Sequence, residues 1–166
     1  MTIRPVADDQ WEVVAWLWQA FRQDLADGVV SESFPYADGR YNARQLADYP
    51  GPGREGWIAW APHPQTGEDA PVAFSLVGGI GTPDQALRQF FVVPAARRSG
   101  VGARLAAHVL AQHPPPWTVA FQDANGPATA FWRRVFTAAF GDAWVETEEP
   151  VPGRPDVPAD HWIRTT

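Results

Sequence analysis

Leu87-Arg-Gln-Phe-Phe-Val-Val-Pro-Ala-Ala-Arg-Arg-Ser-Gly-Val-Gly-Ala-Arg-Leu105 is the stretch on which the rest of the chain is read. Residues 87–93 are mostly apolar and aromatic and stop at Pro94, the pattern of a strand. Val101, Leu105 and, further on, Val109 recur at helical spacing. A strand that feeds a helix through Gly100 and Gly102 makes an anion site. Glycines let a ligand approach the backbone, and the free N–H groups of a first helical turn point outward at the positive end of the helix dipole. Arg97 and Arg98 add charge beside that turn, where each well-formed charged hydrogen bond is worth about 1.5 to 3 kcal/mol. A diphosphate fits this description.

Upstream, residues 2–6 read as a short extended segment. Asp8 reads as the cap of a helix with Trp11, Val14, Trp18, Phe21 and Leu25 on one stripe, stopped by Gly28. A brief helix over 42–49 ends at Pro50-Gly51-Pro52-Gly53. The segments 57–61 and 72–77, parted by Pro64-Gln65-Thr66-Gly67, read as a hairpin with a long connection. Downstream, Pro114-Pro115-Pro116 breaks the helix and 117–121 returns as a strand. Asn125-Gly126-Pro127 opens another helix, with Ala128, Phe131, Trp132, Val135, Phe136, Ala139 and Phe140 on its apolar face and Gly141 as its stop. The final strands are 143–147 and 161–164, joined by the proline-rich 150–158. No repeat, linker or low-complexity tract interrupts the chain, so one domain over 1–166 is expected, a mixed sheet with helices on its faces.

Thirteen basic and nineteen acidic groups leave a net charge of -6, which argues against nucleic acid or an anionic membrane as partner. All thirteen basic residues are arginine, which excludes a Schiff-base lysine and the Gly-Lys of a phosphate-binding P-loop. With no cysteine there is no disulfide, thiolate metal site or cysteinyl acyl-enzyme, so acyl transfer has to be direct or use another nucleophile. The opening MTIRPVADDQ lacks the apolar run of a signal sequence, and no stretch approaches the roughly 20 apolar residues of a membrane span. A cytoplasmic location is the expectation.

The wider pattern resembles the GNAT N-acetyltransferases. Arg97, Gly100 and Gly102 match that family's Arg or Gln, two residues, Gly, one residue, Gly or Ala. Val92-Val93-Pro94 matches its Val-x-Pro, and Asn125, Ala128, Phe131 and Trp132 match its Asn-x-x-Ala-x-x-aromatic-aromatic helix, while Ile3-Arg4-Pro5 resembles its opening strand. Residues 87–140 carry the likeness. It implies an α/β (α+β) fold: a mixed, mostly antiparallel sheet of six to seven strands, split like a V between the strands ending at Val93 and Phe121, with about four flanking helices. It also implies acetyl-coenzyme A as co-substrate and no metal. By the same resemblance, the backbone of Phe91, Val92 and Val93 meets pantetheine and the acetyl carbonyl. Arg97, Arg98, Ser99, Gly100, Val101, Gly102 and Ala103 hold the pyrophosphate, and Asn125, Phe131 and Trp132 lie beside the cofactor. The implied reaction is direct transfer of acetyl to a primary amine of a small molecule or peptide, through a tetrahedral intermediate whose oxyanion backbone amides at a strand distortion could stabilise.

No residue stands out as catalytic. Many relatives carry an acidic tyrosine where Trp132 stands, and an indole N–H donates without usefully titrating. Trp132 could orient the sulfur, or pack in the core. Loss of a general acid costs about 10² to 10⁴ in rate, but a thiolate with a cysteine-like pKa of about 8.5 leaves tolerably unaided. Glu32 and His161, by the family's layout, and Asp123, after the strand facing the cofactor, are candidate bases, each readable as a loop residue or cap. His108 falls near an apolar stripe and reads as packing. Arg88 and Gln89 occupy the strand where some relatives place a glutamate. Tyr36, Tyr41, Trp57 and Trp60 either wall an aromatic acceptor pocket or pack, and exposed aromatics in the last strands would fit a homodimer.

Two other readings remain. A dinucleotide site fails in detail, since Leu105 stands at the third glycine, Gly100 falls six positions after Pro94, and no acidic residue ends a second parallel strand about 20 residues on. A catalytically weak or silent acyl-CoA-binding module is the second, favoured by Trp132.

Overall fold

The apolar stripe of residues 11–25 forms the helix its spacing predicts, α1 (Trp11–Ala26), after strand β1 (Thr2–Pro5). Asp8 does not cap it. The N-cap is Ala7, and a 3-10 turn over Asp8–Gln10 leads into α1, its Gln10 Oε1 accepting the Ala7 N–H at 3.4 Å. Residues 1–26, 34–122, 125–151 and 158–166 are described by this computed structural model, so Gly28, the expected stop, lies outside the described residues. The brief helix expected over 42–49 is a 3-10 turn, Arg44–Asp48.

The hairpin forms from β2 (Arg54–Pro62) and β3 (Asp69–Gly78). β4 (Ala86–Val92), α2 (Val101–Leu110), β5 (Thr118–Gln122) and α3 (Gly126–Phe140) follow, then β6 (Trp144–Glu149) and β7 (Asp160–Thr165). The seven strands make one sheet in the order β1-β2-β3-β4-β5-β7-β6, in which β4 and β5 are the parallel pair and the other neighbours are antiparallel. The expectation of about four helices resolves into three α-helices and three 3-10 turns among the described residues.

Each face of the sheet has its own core. α2 and α3 cover one, where Leu105, Val109, Val135 and Phe136 meet Leu87, Val119 and Ile163. α1 covers the other over β2, β3 and β4, where Val14, Trp18 and Phe21 meet Ile58, Phe74 and Phe91. Strand alternation sets this division: Ala73 and Val77 serve the first core, Phe74 and Leu76 the second. Beyond β4 no described helix covers the α1 side of the sheet, with Ala120 and Thr147 exposed and Trp162 half-buried. No described helix is long and apolar enough to cross a membrane.

Candidate functional site

β4 and β5 pair only at Ala86 with Thr118 and Leu87 with Val119. β4 then continues to Val92 and β5 to Gln122 without pairing, which opens the sheet between them. At the apex, the β3–β4 register shifts: Leu76 faces Gln89 while Val77 faces Leu87, so Arg88 is an extra residue, a β-bulge. The bulge turns both Arg88 and Gln89 toward the α1 face. Gln89 Nε2 donates to Gln45 Oε1 at 2.9 Å, and Arg88 lies against Gly78 and the Tyr49 hydroxyl. The Val93 N–H donates to the Val72 carbonyl at 2.9 Å, so antiparallel alternation aims the backbone groups of Phe90 and Val92 into the split. Arg97 Nε takes the Val92 carbonyl at 3.0 Å, which leaves the Phe90 and Val92 amides as the donors along this edge.

The segment after β4 forms the anion turn. A 3-10 turn at Pro94–Ala96 is followed by extended Arg97, then by left-handed Arg98 (φ 60°) and Gly100 (φ 83°). Ser99 Oγ donates to the Ala96 carbonyl at 2.7 Å and steadies the loop. The first amide of α2 to find a carbonyl is that of Arg104, 3.1 Å from Gly100 O. The amides of Val101, Gly102 and Ala103 before it have none, and Gly100 supplies no cap. Three unpaired donors at the positive end of a helix form a cradle for phosphate oxygens. The space is there: a Cβ on Gly100 would meet nothing within 4 Å. Gly102 marks where this turn meets the split, since a Cβ on it would stand 3.4 Å from Val92 and from Phe131. From Ala103 and Phe131 an apolar groove of about 550 Å³ continues between α2 and α3, walled by Ala107 and Ala138, with Arg134 on its lining.

No protein-family model matches this sequence, and no curated protein does. Solved structures do. The acetyltransferase of the GNAT family from Staphylococcus aureus Mu50 is similar over 99% of this chain and 99% of its own, with a TM-score of 0.61 and 13% identity. NAA60 of Arabidopsis thaliana, in complex with a bisubstrate analogue, is similar over 99% and 96%, with a TM-score of 0.62 and 13% identity. Spermidine N-acetyltransferase of Vibrio cholerae matches over 99% and 94%, with a TM-score of 0.63 and 9% identity. The chain has the GNAT acetyltransferase fold.

Within the GNAT fold, the residues picked out by sequence divide by what their side chains do. Phe91 is buried in the α1 core and Val93 packs on that core, whereas Val92 packs on the α2–α3 side. All three border the split through the backbone. Val101 is a core residue, so only its amide faces the turn, while Ala103 and Phe131 line the groove. Asn125 caps α3, its Oδ1 accepting the Ala128 N–H at 3.2 Å. Arg97, expected to hold the pyrophosphate, has its guanidinium 2.6 Å from Asp24 of α1, bonded to the Val92 carbonyl and 5.7 Å from the Phe91 ring. It ties α1 to the turn, and Arg98 beside it is exposed. Trp132, expected beside the cofactor, is a core residue with 5% exposure, packed on Phe90 at 5.0 Å and Phe131 at 4.9 Å. The helical stripe that carries Val135 and Phe136 carries it too.

Of the two readings of the aromatics, a shared acceptor pocket and packing, the tryptophans follow packing. Trp57 belongs to the α2–α3 core and Trp60 packs on the α1 core, so they lie on opposite faces of β2, and Tyr36 is exposed. His108 packs edge-on against Trp57 at 4.9 Å. Glu32 and Asp123 lie outside the described residues. His161 stacks on Phe121 at 5.6 Å, on the α3 side of the sheet, with Nδ1 2.7 Å from Glu146 Oε1. Among the described residues no group of three His, Cys, Asp or Glu is placed to hold a metal ion.

Sequence reading missed the clamp to which His161 belongs. Arg133 of α3 makes a bidentate pair with Glu146 of β6 at 2.7 Å and 2.7 Å. That bonding, with the His161 contact, holds the Glu146 carboxyl below its ordinary range despite burial that acts the other way. A carboxyl with a depressed folded pKa contributes stability above its unfolded value, about 4.3, and loses it as pH falls through the folded value. Glu146→Gln is therefore expected to flatten the acid side of the stability curve. Urea midpoints measured from pH 6 downward check this, and parallel curves for parent and variant would remove Glu146 from the account of acid unfolding.

Proposed function

We propose that this chain transfers the acetyl group of acetyl-coenzyme A to a primary amine of a small molecule or peptide. The observation that carries the reading is the three unpaired amides of Val101, Gly102 and Ala103, set beside a sheet that opens between β4 and β5. Acetyl-coenzyme A supplies an activated acyl carbon on a thiolate leaving group. The α2 turn and Arg98 would bind its diphosphate, and the groove between α2 and α3 offers apolar walls to the nucleotide. The split would admit the pantetheine arm, its amides pairing with the bare backbone edge at Phe90 and Val92. Two residues apart on a strand they stand too far apart to share one oxygen, so one of these amides would pair with the pantetheine arm and the other would donate where negative charge develops on the thioester oxygen. The solved acetyltransferases of the same fold support the chemistry, one of them a complex with a bisubstrate analogue.

Buried Trp132 favours a second reading, in which acetyl-coenzyme A is bound without turnover. Of the described tyrosines, Tyr49 packs on the α1 face, where burial raises its hydroxyl pKa and keeps it protonated. Calorimetric titration with acetyl-CoA, beside one with NADH, is the test. Saturable binding of the first alone is expected, and free CoA on adding amines. Binding of neither ligand sinks both readings, and binding without CoA release from a broad amine panel selects the silent module.

A further inference from the structure

The α1 side of the sheet beyond the split is a shelf made by alternate residues of three strands: Thr118, Ala120 and Gln122 of β5, Asp160, Trp162 and Arg164 of β7, and Val145, Thr147 and Glu149 of β6. Their opposites, Val119, Phe121 and Ile163, are in the α2–α3 core, which fixes the orientation of the whole set. An acceptor reaching the split from the face opposite α2 and α3 crosses this shelf. It meets Arg88 and Gln89 of the bulge on the near side and Gln122 with Asp160 on the far side.

The two shelf carboxylates differ. Glu149 is neutralised by Arg164, 2.6 Å and 3.2 Å away, and also accepts from Thr147. Asp160, its cross-strand neighbour, stands opposite an amide, that of Gln122 at the open end of β5. Glu146 sits on the other face, locked by Arg133. Across the split, Gln89 is a neutral amide whose N–H is committed to Gln45, and Arg88 donates to the Asp84 carbonyl at 3.0 Å. Around this mouth, among the described residues, a proton acceptor not already matched to a cation is found at Asp160.

We infer that Asp160 takes the proton of the acceptor amine, through a water at the mouth of the split. This rests on the acetyl-transfer reading above and names the group that reading leaves open. A cationic alkyl amine first gives one proton through the water to the Asp160 carboxylate, which passes it to solvent, and the lone pair so freed forms the C–N bond to the acetyl carbon. The remaining surplus N–H proton, the one proton an already neutral amine loses, then passes to Asp160, the C–S bond breaks with its electrons on sulfur, and the thiolate takes a proton from solvent. Partial burial raises the Asp160 pKa, which improves it as a base, and the Gln122 bond and the charge of neighbouring His161 hold that rise back. A base must be deprotonated, so the rate falls as pH drops through this raised value. Glu149, also facing Asp160, keeps its charge through that range because Arg164 holds its pKa down.

The test compares parent with Asp160→Asn, which keeps the shape and an oxygen for Gln122. Three things are measured: acetyl-CoA binding by calorimetry, thermal midpoint, and CoA release with a panel of alkyl amines, cationic at neutral pH, and aromatic amines, already neutral. Unchanged acetyl-CoA affinity and midpoint are expected, with kcat down about 10²-fold for alkyl amines, loss of the acid limb of the pH profile, and a smaller effect on aromatic amines. Equal kcat values, an acid limb that persists in the variant, or a parent that binds acetyl-CoA and releases no CoA with any of the amines overturns the role of Asp160. Absence of acetyl-CoA binding to the parent overturns instead the reading on which it rests.

Discussion

Replacing Gly100 with aspartate is expected to weaken acetyl-CoA binding about 10³-fold while leaving the protein folded. The site holds three unpaired amides, and two or three charged hydrogen bonds at about 1.5 to 3 kcal/mol each are at stake. A carboxylate at the helix start occupies the positive end of the dipole and repels the diphosphate. A net loss of about 4 kcal/mol is a factor of about 10³. The fold tolerates the change because a Cβ at Gly100 meets nothing within 4 Å. The left-handed φ of 83° costs a non-glycine residue about 1 to 2 kcal/mol, but aspartate and asparagine bear it best, and the dipole returns about 0.3 to 1 kcal/mol to the charged one.

Gly100→Asn is the control, equal in shape and strain but without charge. It should keep affinity within about tenfold of the parent. Similar losses in both variants would mean that backbone freedom, not charge at the amides, makes the site. Affinity unchanged in the aspartate variant would remove the α2 turn from the binding site. Gly102 is less suitable for this purpose: its neighbours Val92 and Phe131 already stand 3.4 Å from any added Cβ, so a bulky residue there also displaces α3.

How far the sequence could be read depended on the range of the interaction. The turn at Gly100, the stripes of α1 and α3, and Asn125-Gly126-Pro127 as a helix start are local patterns, and each stands where its spacing places it. Trp57 and Trp60 were also legible: three residues apart in a strand, they must face opposite ways, and an acceptor pocket shared by both was excluded by period alone. Arg97 was not legible, because the partner that diverts it, Asp24, is 73 residues away in sequence on another element. The bulge at Arg88 carries no glycine or proline to announce it. Asp160 follows a proline-rich stretch that reads as loop, and its position beside Gln122 appears only when β7 is seen to insert between β5 and β6. Local chemistry thus marked the proposed phosphate end of the site, and sheet order made its proposed acceptor end.

Phe74→Ala is expected to cost about 3 to 5 kcal/mol of stability, lowering the folding equilibrium constant about 10²- to 10⁴-fold. Phe74 is fully buried on β3, with ring centroids 6.3 Å from Trp18, 5.9 Å from Phe21 and 6.1 Å from Phe91. It joins two residues of α1 to the strand that borders the split, and alanine leaves a void among rings that cannot all move inward. Trp18 is pinned from behind, its indole N–H donating to the Asn42 carbonyl at 2.8 Å, which limits the collapse that would soften the loss. Urea unfolding of parent and variant measures it, and a cost below about 1.5 kcal/mol would mean that α1 settles into the gap. The same experiment with acetyl-CoA at about 100 times its Kd separates stability from function. Ligand that binds only the folded state adds about 2.7 kcal/mol, so equal increments for parent and variant place the damage in the α1 core alone. A smaller increment for the variant means that Phe91 passes the void on to the backbone of Phe90 and Val92, and that the α1 core holds the split in shape.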